Sequence, residues 1–123
     1  MDYIHSDKAP KAIGPYSQAV KVNGFLYCSG QLPMKADGTL AGGPLDEQSR
    51  QVLQNLKAVL EAGGSSLEKV VKVTVFLTDL SQFDKMNAVF GEFFPVHKPA
   101  RATVQVAALP KNVMVEMDAV AVV

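Results

Sequence analysis

Arg101 stands in the run Lys98-Pro99-Ala100-Arg101-Ala102-Thr103-Val104-Gln105-Val106, at the mouth of what reads as a buried strand. Only one positive charge follows it, Lys111, before an apolar C-terminal strand that carries Glu116 and Asp118. A guanidinium entering an apolar sheet needs a partner, because an unpaired buried charge is strongly destabilising. One partner is an internal carboxylate, Asp118 or Glu116. The other is an anionic ligand, whose carboxylate the planar fork grips at two points as a lysine could not. Glu116, flanked by Met114, Val115 and Met117, is expected to have its pKa raised into a range useful for moving protons. Tyr16, Ser29 and Asn87 complete the polar set at otherwise apolar positions. Taken by themselves, Tyr16 reads as a packed aromatic at a chain bend, and Ser29 and Asn87 as capping or interface hydrogen bonders.

Other chemistries find little support. Cys28, the only cysteine, alternates inside a hairpin strand and reads as core filler; alone it forms no internal disulfide. His5 and His97 are far apart and make no metal-ligand spacing, and His97 reads as a loop residue. Gly42-Gly43 and Gly63-Gly64 lack the context of a phosphate loop, and no G-x-S-x-G elbow is present. Twelve Lys+Arg balance twelve Asp+Glu, so no electrostatic footprint for nucleic acid or an anionic membrane appears. No apolar stretch approaches the roughly 18 residues of a membrane span, and no targeting segment is evident. The expectation is a cytoplasmic protein without metal or cofactor.

The elements that position these residues follow from periodicity. Asn23-Gly24 between apolar runs predicts a two-residue hairpin turn, pairing Val22 with Phe25 and Val20 with Tyr27. Tyr16 and Gly30 then lie at the same open end. Residues 46–62 predict an amphipathic helix, with Val52, Leu53, Leu56, Val59 and Leu60 on one stripe and Gly63-Gly64 as the stop. Val71, Val73, Val75 and Leu77 alternate with polar and aromatic residues, a strand. A second helix is expected from an N-cap at Ser81 to Pro95, its stripe of Phe83, Met86, Phe90, Phe93 and Phe94 serving as core. The last third predicts two antiparallel strands joined through residues 107–112, a hairpin that would set Arg101 opposite Asp118 and Thr103 opposite Glu116. Both faces of the final strand are largely apolar, so it is covered on two sides. Residues 1–123 form one predicted α+β domain, two helices on one sheet face and the other face meeting another subunit.

Six segments taken in order closely resemble the Rid (reactive intermediate deaminase, YjgF) family. They are Ala12-Ile13-Gly14-Pro15-Tyr16-Ser17-Gln18, Ser29-Gly30-Gln31-Leu32-Pro33, residues 55–62, residues 70–77, His97-Lys98-Pro99-Ala100-Arg101 and Leu109-Pro110-Lys111. The resemblance implies a chorismate-mutase-like fold with a mixed sheet, assembled as a homotrimer whose sheets face a central barrel. It implies hydrolysis of 2-iminobutanoate and 2-iminopropanoate to 2-keto acids and ammonia, with no cofactor. Position by position, Arg101 matches the carboxylate-binding arginine and Glu116 the acid that positions or activates water. Tyr16, Ser29, Gly30 and Asn87 match the pocket lining. Thr103 stands where many active members carry cysteine; its backbone carbonyl can still hold a water. Alternative readings are a non-catalytic ligand-binding regulatory module and a translation inhibitor or single-strand endoribonuclease.

Overall fold

Asn23 and Gly24, at φ 52° and 78°, turn the chain between β2 (Ala19–Val22) and β3 (Phe25–Gln31). The expected register follows, Val22 opposite Phe25 and Val20 opposite Tyr27. The computed structural model describes residues 1–123, and to this hairpin it adds β1 (Asp2–Ile4), α1 (Leu45–Ala62), β4 (Val70–Leu77), α2 (Phe83–Phe93), β5 (Ala100–Gln105) and β6 (Val115–Val122). One six-stranded sheet runs in the order β1-β2-β3-β6-β4-β5. Only β4 and β5 pair in parallel, joined by α2 as crossover; every other pairing is antiparallel. The strand β1, three residues long and largely exposed, leaves no alternating signal in the sequence.

The helices form as their stripes dictate. Val52, Leu53, Leu56, Val59 and Leu60 of α1 are fully buried, as are Met86 and, nearly so, Val89 and Phe90 of α2. They join Val73, Val75, Leu77, Val115, Met117 and Ala119 of the sheet in one core on a single sheet face. Gly64, at φ 82°, ends α1, and the Ser65 amide donates to the Leu60 carbonyl at 2.9 Å. No helix is long and apolar enough to cross a membrane.

Four expectations need correction. Ser81 does not cap α2: a 3-10 turn, Leu80–Gln82, leads into the helix, and that turn is capped by Asp79, whose Oδ1 accepts from the Ser81 amide at 2.9 Å, while α2 itself begins at Phe83 without a side-chain cap. A carboxylate is the stronger acceptor for these orphan amides, and bonding to Ser81 holds its pKa below the usual value. At the start of β4 the buried residue is Val70 and not Val71, which is 46% exposed, because a bulge between Val70 and Lys72 breaks the alternation.

The third correction is topological. β5 and β6 are not a hairpin. The Val106 amide donates to Leu77 at 2.8 Å and the Thr78 amide to Met114 at 3.2 Å, so the connection straddles the end of β4. β6, apolar on both faces, fits between β3 and β4, leaving β5 on the edge. Arg101 accordingly lies opposite Val73 and Thr103 opposite Val75; neither faces Asp118 or Glu116. The fourth follows from it: Arg101 is exposed on an edge strand rather than entering a buried one.

Candidate functional site

Cross-strand partners project to the same side of a sheet, so Arg101, beside buried Val73, leaves the helix-covered face and meets α2. Its Nη1 donates to Asn87 Oδ1 at 2.8 Å. Its guanidinium carbon lies 4.8 Å from the Phe90 ring centre and 5.3 Å from that of Phe83, within cation–π range. Phe83, Asn87 and Phe90 are spaced at one helical face, and the Phe stripe read as pure core therefore also cradles the guanidinium. Asn87 stands out in the sequence as a polar residue beside that stripe, but the stripe pattern does not say that the rings flanking it hold a cation. His97 Nε2 bonds the Val70 carbonyl, tying the loop before β5 to the start of β4.

No carboxylate answers Arg101. The ion pairs of the chain are His5–Asp7 and Arg50–Glu92, both elsewhere. The internal pairing with Asp118 or Glu116 is thereby ruled out. Instead the guanidinium borders a pocket of about 400 Å³ whose walls include Asn87, Phe90, Phe94, Lys98 and Pro99. Lys98, a second cation in that pocket, was not among the residues singled out from sequence. Thr103 is half-buried on the same strand, and its Oγ1 is buried without a hydrogen-bond partner.

Glu116 belongs to the other face. It alternates with buried Val115 and Met117, and pairs with Phe76 on β4. Half-buried, its carboxyl has a pKa raised first by desolvation and then by the neighbouring charge of Asp118. Gly30 makes room for it: a Cβ at that position would lie 2.9 Å from Glu116 Cδ and closer still to Oε2. The register shift of β3 between Cys28 and Gln31 falls at this point. Ser29 Oγ donates to the Ser17 carbonyl and its amide to Gln18 at 2.9 Å, anchoring the segment that bears Tyr16. Ser29 thus has its side chain engaged internally. Tyr16 and Gly30 line one pocket of about 240 Å³, together with Lys11, Ile13, Leu32 and Lys111.

The expected site residues therefore form two groups. Arg101, Asn87 and Thr103 lie on β5 and α2; Glu116, Gly30, Ser29 and Tyr16 lie around β3 and the opposite sheet face. Cys28 is buried, and burial pushes its thiol up to about 12, which suits a packing role rather than a nucleophile. No three His, Cys, Asp or Glu side chains converge to form a metal site.

Comparison with known proteins bears on these groups. Residues 6–123 match the family model described as Endoribonuclease L-PSP. A RutC family protein of Pyrococcus abyssi is 50% identical over 121 residues, covering 98% of this chain and 95% of the relative. The crystal structure of RidA from an Antarctic Psychrobacter superposes with a TM-score of 0.96 at 48% identity, covering 100% of both chains. E. coli TdcF with bound serine superposes at 0.95 and 40% identity, covering 100% of this chain and 99% of that one. With near-complete coverage, high identity and the same mixed sheet under two helices, the chain belongs to the Rid (YjgF) family, in which the L-PSP and RutC proteins are grouped.

Proposed function

We propose that this protein is a 2-imino acid deaminase, hydrolysing 2-iminobutanoate and 2-iminopropanoate to the 2-keto acids and ammonia. The observation that carries the reading is the Arg101 guanidinium, held by Asn87 over two aromatic rings with no carboxylate of its own. A preorganised, unneutralised fork beside a pocket suits a substrate carboxylate. The substrate carbon is already electrophilic. Water adds to it, one proton passing to ionised Glu116 and on to the imine nitrogen to give a carbinolamine; the remaining hydroxyl proton then passes through Glu116 to the amino group, the C–N bond breaks, and ammonia leaves as the keto C=O forms. Gly30, Tyr16 and the Thr103 carbonyl line and hydrate this centre, and Ser29 holds the Tyr16 segment in place.

Arg101 and Glu116 serve opposite faces of one sheet, so the complete centre forms where two copies meet. The uncovered face offers the contact: Phe25, Tyr27, Val104 and Val122 are 40, 49, 42 and 38% exposed. Association as a homotrimer, sheets inward, buries this apolar surface and brings the Arg101 group of one subunit to the Glu116 group of the next. The test couples an amino acid oxidase, which supplies the imine, to ammonia detection. Catalysed imine loss is expected. Loss no faster than in buffer favours a ligand-binding module, and cleavage of single-stranded RNA without deamination favours the nuclease.

A further inference from the structure

Lys111 and Asn112 both adopt positive φ, 59° and 57°. The Val113 amide donates to the Pro110 carbonyl at 3.4 Å, so the two residues occupy the centre of a type I′ turn. That turn favours asparagine and glycine, whose side chains tolerate the left-handed region; lysine is strained there. This chain makes the relaxed version elsewhere. Asn23-Gly24 turns the β2–β3 hairpin at 52° and 78°, where a Cβ on Gly24 would meet nothing within 4 Å. The difference between the turns is what they adjoin. Lys111 lines the pocket of Tyr16 and Gly30, as does Lys11, and makes no ion pair.

The charge count then points to a ligand. Lys11 and Lys111 line one half of the proposed centre, and Arg101 and Lys98 line the other. Against these four cations stand Glu116 and its neighbour Asp118. A monocarboxylate leaves this site with a surplus of positive charge, whereas a dianion neutralises it, and apolar walls such as Phe90, Phe94 and Leu32 strengthen the field. We infer that the site prefers dicarboxylic 2-imino acids, the imines of acidic amino acids, with Arg101 on the α-carboxylate and Lys111 on the distal one. The strained turn persists because it delivers that ammonium. The choice of imino acids as ligand class rests on the deaminase reading; the dependence on Lys111 does not.

The test measures calorimetric binding of two stable keto acids, 2-oxoglutarate and 2-oxobutanoate, alongside turnover of the corresponding imines. The wild type should bind the dicarboxylate about tenfold more tightly. Lys111→Asn and Lys111→Gln should each bring that ratio close to one, and Lys111→Asn, by relaxing the turn, should raise Tm by about 3 °C. A wild type without preference, or a preference that survives both substitutions, overturns the inference. A Lys111-dependent preference in a protein that turns over neither imine supports it while sinking the deaminase reading. Turnover without preference does the reverse.

Discussion

At the residue scale the decisive geometry is a guanidinium with one donor taken by Asn87 and its face resting on Phe83 and Phe90. A lysine keeps the charge but not the fork or the stacking. Arg101→Lys and Arg101→Ala should therefore lower kcat/KM roughly a hundredfold or more. Because Arg101 is exposed and makes no ion pair, Tm should move by no more than about 2 °C. An Arg101→Ala protein with normal turnover would end the proposal, and one that unfolds would assign the residue to the fold. Glu116 makes a pH prediction. Its folded pKa lies above the ordinary 4.5, so between 4.5 and the raised value the native state binds more proton than the unfolded chain. Stability should fall as pH rises through that window, and Glu116→Gln should remove the fall in melts taken across it. Activity should run the opposite way, increasing with pH as Glu116 ionises, with an apparent midpoint above 4.5.

At the element scale, strand β3 shows how a backbone position governs a side chain two strands' chemistry depends on. Gly30 lies where β3 shifts register against β6, and its missing Cβ is the space filled by the Glu116 carboxyl. Gly30→Ala should push that carboxyl aside and reduce kcat by about a hundredfold, the scale of a misplacement near 1 Å. A crystal structure of the variant with Glu116 unmoved, or unchanged kcat, would refute this role. The same scale explains which elements were legible. The Asn23-Gly24 hairpin and the two helices were readable because local turn chemistry and a stripe of period 3.6 specify them. The β5–β6 pairing was misread because alternation reports a strand and says nothing of its neighbour. The β1 strand, three residues long, carried too little pattern to be seen.

At the scale of the whole molecule, the sheet separates what the proposed chemistry must combine. Mixing inactive Arg101→Ala and Glu116→Gln proteins, with unfolding and reassembly, should restore roughly a quarter of wild-type activity if each centre draws one residue from each of two subunits in a symmetric ring. A mixture that stays inactive would place the centre within one chain. Sedimentation should give three times the 13.2 kDa chain mass; a monomer would remove the basis for a shared site. By itself the sequence determined the two amphipathic helices, the β2–β3 register, the two-faced apolarity of β6 and the residues worth suspecting, since these depend on neighbours within a few positions. Only the tertiary structure decided that β6 inserts between β3 and β4, that Arg101 lies against α2, and that Glu116 lies beyond the sheet. Those are long-range choices, made by burying the strand apolar on both faces at the centre, and no local pattern around Arg101 encodes which strand becomes its neighbour.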